Sequence, residues 1–271
     1  MSDTTRLDVE LVRRGLARSR GQARALVEAG DVSVNGTEAS KGSAPVHLDD
    51  VLDVRQAGPR WVSRAAYKLV GAFEVFGEQG LSAEGKRCLD VGASTGGFTQ
   101  VLLHHDAAHV VALDVGHDQL VRVLVDDPRV TDRSRTTVRG LVADQIGGAV
   151  DLLVADLSFI SLTLVLETFR GLLRDTGDAL VLVKPQFEVG RTRLGKGGIV
   201  RSQGDRAWSV TEVARAAIDA GLHPKGLAES PIRGGEGNAE YLLWLTPRAE
   251  ESLGWEALVR TADQVSLKGA P

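Results

Sequence analysis

From residue 87 onward, short apolar runs alternate with stretches of helical periodicity, and that alternation constrains the fold more than any other feature of the chain. Arg87–Val91 reads as a buried strand ending in the small-residue turn Gly92-Ala93-Ser94-Thr95-Gly96-Gly97-Phe98, with a helix through Leu102 and Leu103 behind it. Residues 109–114 give a second strand, 118–125 a helical stretch, 136–141 a weak third strand and 151–156 a clear fourth. A helix over 162–173 leads to a fifth strand at 179–183, which ends in Lys184-Pro185. Residues 205–220 are helical and stop at Gly221, 241–245 form the last strand, and 255–265 a closing helix. The alternation predicts an α/β domain with a mostly parallel, doubly wound sheet. Residues 185–204 hold five glycines in one long connection, a candidate active-site loop.

The first sixty residues follow another pattern. Leu7, Leu11, Val12 and Leu16 predict a helix over 6–16, and Ser19 caps a second helix carrying Ala23, Leu26 and Val27. Gly30 closes that helix. Val32 and Val34 alternate into Asn35-Gly36, a strong hairpin signal, and Val51, Leu52 and Val54 supply another strand. This predicts a small α+β module over residues 1–55, a linker over 56–63 and the α/β domain over 64–271. Net charge is −4, yet Arg6, Arg13, Arg14, Arg18, Arg20 and Arg24 face only Asp8 and Glu10 in their stretch. Such a local basic face is what phosphates feel at short range.

Composition removes several classes. The single cysteine, Cys88, excludes an internal disulfide and a cysteine-rich metal site, and no metal is expected. No apolar run approaches the roughly 20 residues that span a bilayer. With no charged-then-apolar leader at the start, the cytoplasm is the expected compartment and no membrane partner is expected.

The turn after the first strand carries the cofactor signal. Small residues let a backbone approach a ligand, and the following helix N-terminus favours negative charge. Asp114 ends the second strand 22 residues after Gly92, where an acid can hold ribose hydroxyls. A dinucleotide and S-adenosylmethionine both suit this geometry; without a clean G-x-G-x-x-G fingerprint the turn favours S-adenosylmethionine. Asp90, Gly92, Ala93, Ser94, Thr95, Gly96, Gly97, Phe98 and Asp114 are the expected cofactor contacts.

Charged residues also fall at the strand ends: Asp156 on the fourth, Lys184 on the fifth, and Glu240 before the last. Glu240 reaches the same edge only if its strand runs antiparallel. The chain has 25 arginines and seven lysines, so Lys184 and Lys68, in apolar settings, stand out. A buried lysine can lose its proton, which arginine cannot. Methylation at pyrimidine carbon 5 needs a cysteine near the crevice, and Cys88 lies inside a strand. Exocyclic-amine methylation usually shows an Asn/Asp-Pro-Pro-aromatic turn, where this chain has Asp156-Leu157-Ser158-Phe159. A hydroxyl acceptor remains.

Two resemblances follow from these residues. Arg6-Leu7-Asp8, the run 11–20, Ala23, Gly30, Val32, Val34, Asn35 and Gly36 resemble the S4-like RNA-binding domain. That likeness implies RNA contacts at Arg6, Arg18, Arg20 and Lys41. The segments 89–99, 154–161, 182–188 and 238–241 resemble the TlyA family, S-adenosylmethionine-dependent 2′-O-methyltransferases of ribosomal RNA related to the FtsJ group and also called haemolysin-like. The resemblance implies a class I (Rossmann-like) methyltransferase sheet and a catalytic tetrad at Lys68, Asp156, Lys184 and Glu240. It also implies cytidine targets in 16S and 23S RNA and sensitivity to capreomycin-type antibiotics. Two positions depart from the family pattern: the turn after the third strand reads Arg135-Thr136-Thr137, and the inter-domain Arg-X-Trp-Val reads Pro59-Arg60-Trp61-Val62. The rival readings are a non-catalytic RNA-binding or ribosome-assembly protein and a haemolysin.

Overall fold

The computed structural model describes residues 4–17, 19–28, 30–54, 61–195 and 197–268. The chain divides into two compact units, Met1–Arg60 and Trp61–Pro271. In the first unit β1 (Thr4–Arg6) runs straight into α1 (Leu7–Arg13), followed by α2 (Arg20–Glu28). Next come β2 (Val32–Val34), β3 (Thr37–Glu38), β4 (Pro45–His47) and β5 (Leu52–Val54). β1 pairs antiparallel with β4, while β3, β2 and β5 form an antiparallel three-stranded sheet. Leu7, Leu11, Ala23, Val27, Val32 and Val46 make the core. Ser19 Oγ accepts the Gln22 N–H at 3.2 Å and caps α2. Asn35 and Gly36 both take positive φ, which matches a hairpin turn to the twist of β2 and β3.

The helix expected over 6–16 is shorter, because Arg6 is still in strand β1 and the chain leaves the helix at Arg14. Strands β1 and β4 are three residues each, too short to write a period-2 signal into the sequence. Arg18 and residues 55–60, most of the expected linker, lie outside the described residues.

The second unit opens with α3 (Ala66–Phe76), then β6 (Arg87–Val91), α4 (Gly97–His104), β7 (His109–Leu113), α5 (Arg122–Val125) and β8 (Val130–Arg133). It continues through β9 (Val150–Ala155), α6 (Leu166–Leu172), β10 (Leu173–Val183), α7 (Pro185–Glu188) and α8 (Gln203–Asp219). β11 (His223–Glu229), β12 (Tyr241–Thr246) and α9 (Trp255–Lys268) complete it. The sheet order is β11-β12-β10-β9-β6-β7-β8. Neighbours from β10 to β8 are parallel, and β12 runs antiparallel to both β10 and β11. This is the class I, Rossmann-like methyltransferase sheet, with its order reversing between β6 and β9.

Alternation along the strands sorts the two faces. Leu89, Val111, Leu153, Val181 and Leu243 pack with Leu166, Phe169, Val210 and Leu258 of α6, α8 and α9. Cys88, Val110, Leu152, Leu180 and Leu242 pack with Leu69, Phe73, Val101 and Leu102 of α3 and α4. Each fully buried valine, leucine or phenylalanine among them contributes roughly 1.5–3 kcal/mol. The same parity decides the site: Asp156, Lys184 and Glu240 continue the series that faces α3.

Four sequence expectations need correction. The third strand is Val130–Arg133, not 136–141: it is a polar edge strand paired only with β7, so it lacks the apolar run a buried strand shows. Val138, which suggested the other segment, is buried without being in a ladder. The stretch 118–125 is helical only over Arg122–Val125, since Asp118 takes positive φ. β10 begins at Leu173, well before 179, and β11, holding Pro224, Gly226 and a register shift between them, is invisible to propensity.

Candidate active site

The carboxyl ends of β6, β9 and β10 open on a cavity of about 530 Å³. Gly92, Ala93, Ser94, Thr95, Gly97 and Phe98 line one side of it, and Lys68, Asp156, Lys184 and Glu240 another. Gly92 is required where it stands. Its φ is +85°, and a Cβ there would meet the Asp156 carbonyl oxygen at 2.9 Å, so glycine lets the turn lie against the tip of β9.

Four charged side chains meet in this cavity, each brought by a different element. Lys68 lies in the first turn of α3, on the face that also buries Ala66, Leu69 and Ala72. Its Nζ is 3.0 Å from Asp156 Oδ2 and 2.7 Å from Glu240 Oε2. Lys184 Nζ is 2.7 Å from Asp156 Oδ1 and donates to Ser158 Oγ at 2.9 Å. Both lysine side chains are only 8% exposed. Asp156 therefore bridges two cations. Burial pushes its carboxyl up, but the charges of Lys184 and Lys68 outweigh burial and hold it below the usual carboxylate range. Glu240 comes to the same edge because β12 is antiparallel to β10.

Three expected cofactor residues do not line the cavity. Asp90 is fully buried beneath the turn, where Oδ2 accepts the Thr99 hydroxyl at 2.7 Å. Burial pushes its carboxyl up to about 7. Gly96 makes room for Leu124 and Leu120, whose Cδ1 atoms lie 2.2 and 2.7 Å from where its Cβ would stand. Asp114, at the end of β7, accepts the Ser94 N–H at 2.8 Å and the Gly116 N–H at 2.7 Å. It shapes the turn and, with lone pairs to spare, can still accept from a hydroxyl. The Arg135-Thr136-Thr137 segment hydrogen-bonds to the same corner through Thr136 N to Asp114 O, at 2.9 Å.

Several cavity residues escaped the sequence reading. Ser158 and Phe159 follow Asp156, and Phe159 is 92% exposed with φ at +64°, a strained placement for an aromatic residue. Its ring lies 5.3 Å from that of Phe187, and both line the cavity. Glu188 holds the loop in place, accepting the Ser161 hydroxyl at 2.5 Å and the Leu162 N–H at 2.9 Å. Periodicity does not reach these loop positions; only their closeness to the tips of β9 and β10 could have flagged them.

In the first unit, Arg6 and Arg20 both pair with the buried Asp8, at 3.0 and 3.3 Å. Lys41 is exposed. Among the described residues no helix is long and apolar enough to cross a membrane.

Known proteins carry the same architecture. The FtsJ-like methyltransferase family matches residues 61–246, and the S4 domain matches residues 5–52. The chain is 51% identical over 95% of its length, and 96% of the relative's, to the 16S/23S rRNA (cytidine-2′-O)-methyltransferase TlyA of Mycobacterium tuberculosis. It is 38% identical to Hemolysin A of Brachyspira hyodysenteriae, over 88% of this chain and 98% of that one. A solved structure described as a hemolysin, from Streptococcus thermophilus, superposes with a TM-score of 0.70 at 36% identity, covering 99% of this chain and 98% of that one. With its leading S4 domain and its class I sheet, the chain belongs to the TlyA family of FtsJ-like methyltransferases.

Proposed function

We propose that the chain transfers a methyl group from S-adenosylmethionine to the ribose 2′-oxygen of cytidine in ribosomal RNA, and so works in the cytoplasm where ribosomes are. The observation that carries this reading is the Lys68–Asp156–Lys184–Glu240 cluster beside the glycine turn. The 51% identical relative, named for this reaction on 16S and 23S RNA, supports the substrate.

The cavity fits the cofactor. Its volume is that of a small-molecule site, and its wall joins a glycine-permitted backbone, a helix N-terminus and a nearby acid. Backbone groups of Gly92–Phe98 would hold the amino-acid part, and Asp114 the ribose. When bound, S-adenosylmethionine supplies an electrophilic methyl group.

The chain's own residues do the rest. Lys184 Nζ takes the proton from the 2′-hydroxyl, and must be neutral when it does so. A neutral amine has two N–H bonds and one lone pair; Lys184 donates one N–H to Ser158 Oγ while Asp156 Oδ1 stands 2.7 Å from its nitrogen, and the lone pair is what the substrate hydroxyl would meet. Lys68 then pairs with both carboxylates and fixes Asp156 and Glu240. Such general-base help contributes typically ~10²–10⁴-fold, and holding the hydroxyl in place contributes more. Phe159 offers an exposed ring face against which an unstacked base can rest. In the first unit Arg6, Arg18, Arg20 and Lys41 supply phosphate contacts that place the RNA.

The test is nucleoside analysis of ribosomal RNA incubated with the full chain and methyl-labelled S-adenosylmethionine. The label is expected in 2′-O-methylcytidine. Label confined to a base, or bound RNA that takes up no label, would overturn the reading.

A further inference from the structure

In the first unit one carboxylate gathers three guanidinium groups. Asp8 lies in the first turn of α1 with no exposed side-chain surface. Arg6 grips it with two donors, Nε to Oδ1 and Nη2 to Oδ2, both at 3.0 Å. Arg24 Nε donates to Oδ2 at 3.0 Å, and Arg20 Nη2 to the same oxygen at 3.3 Å. Arg6 ends β1, whereas Arg20 and Arg24 stand one turn apart on α2, so the carboxylate ties together two elements. Gly42 leaves space for the arrangement: a Cβ there would lie 3.1 Å from Arg24 Cγ and 3.5 Å from Asp8 Cβ.

Stability alone does not call for three cations. One arginine neutralises one carboxylate, and each further one adds repulsion. The arginine side chains nevertheless stay about half exposed, at 47%, 53% and 53%. Each keeps further N–H donors, which a polyanion would satisfy while relieving the repulsion. Glu10 shows the contrast. It also holds two arginines, but Arg14 turns its other donors onto the backbone carbonyls of Asp50 and Leu48 and so serves as an internal tie.

We propose that Asp8 is a positioning residue for RNA, fixing Arg6, Arg20 and Arg24 as a preformed rack whose outward edges take backbone phosphates of folded ribosomal RNA. The proposal rests on the reading that this chain acts on ribosomal RNA. Guanidinium groups bind phosphate through paired N–H donors, so fixing their planes in advance removes ordering cost on binding. Asp8 remains ionised to do this: the hydrogen bonds from Arg6, joined by Arg24 and Arg20, hold its carboxyl well below the usual range against the effect of burial.

The test sets charge against order, using the full chain and a large-subunit ribosomal RNA transcript across a salt series. Asp8→Asn keeps the shape and removes a negative charge. If the arginines act only as charge, this variant binds more tightly with a steeper salt dependence. The rack predicts the opposite, a loss of about tenfold. Arg24→Lys keeps the charge at an exposed position that folding tolerates; a loss of roughly threefold or more is expected, because lysine lacks the fork. This variant decides the matter alone if Asp8→Asn fails to fold. Parental or tighter binding by Arg24→Lys, or by a folded Asp8→Asn, overturns the rack. Arg20→Glu separates the two readings: if it leaves RNA affinity unchanged, RNA does not bind this face at all, whereas if it weakens binding while the other two do not, only the rack falls.

Discussion

Asp8 and Asp156 are both carboxylates that hold more than one cation, and the partners differ in kind. Around Asp8 stand three half-exposed arginines; around Asp156 stand two buried lysines. Arginine stays charged and presents a planar fork, which suits a lasting grip on phosphate. Lysine is a point charge that can give up its proton, which suits a site that must receive one. In a chain with 25 arginines and seven lysines, the two lysines on Asp156 are therefore informative. On the proposed reading, the same construction serves placement in one unit and proton removal in the other.

The comparison can be broken most completely at the substrate. If Lys184 removes a ribose proton, RNA carrying 2′-deoxycytidine at the target position should bind about as well as the parent RNA and accept no methyl group. Filter binding beside a single-turnover assay measures both. Methylation of the deoxy substrate would remove the reason for Lys184 to act as a base beside Asp156.

The next effect is on stability. Lys68→Met removes from a buried place the cation that pairs with both Asp156 and Glu240, so urea unfolding of the second unit should lose ~3–5 kcal/mol. The half-exposed Arg24→Lys exchange on Asp8 should cost less than ~1 kcal/mol. Equal costs would mean that the cations around the two carboxylates do not differ in burial as described.

How far this contrast was legible in the sequence depends on the element. Alternation along β9, β10 and β12 puts Asp156, Lys184 and Glu240 on one face, so the cluster could be anticipated once the sheet was. β8 could not, because an edge strand of sequence Val-Thr-Asp-Arg carries no apolar run. Asp90 and Asp114 both read as cofactor contacts, Asp114 because an acid at the end of the second strand suggests ribose. In the structure they support the turn from below and from the side. Ser158 and Phe159 sit in a loop whose path depends on contacts from Glu188, 26 residues beyond Leu162, and no local pattern reports such a contact. In the first unit the sequence shows an excess of arginine but not its convergence on one carboxylate, which depends on how β1 and α2 meet.

Smaller effects sharpen the account of the turn. Asp114→Ala frees the Ser94 N–H and removes an acceptor, so affinity for S-adenosylmethionine measured by calorimetry should fall about tenfold or more. Unchanged affinity would leave Asp114 a purely local brace. Asp90 carries a pH signature. Its carboxyl is raised from 3.8 to about 7 by burial, so the folded state holds a proton that the unfolded state releases between those values. The raised value means that stability is lost as pH climbs from about 4 towards 7, since the folded chain must then bury a charge. Asp90→Asn keeps the acceptor for Thr99 and removes the titration. It should match the parent near pH 4 and exceed it at pH 8, by at least ~1 kcal/mol. No gain at pH 8 would show that the buried charge is tolerated at no cost.

The most direct test of the central claim is Lys184→Arg, assayed under single-turnover conditions with S-adenosylmethionine and ribosomal RNA both bound. The exchange keeps the positive charge beside Asp156 and removes the capacity to accept a proton. RNA and cofactor binding are predicted to stay near parental while methyl transfer falls by at least ~10²-fold. Turnover close to parental in this variant would contradict the account, since a permanently charged side chain would then be enough at the position where a base is required.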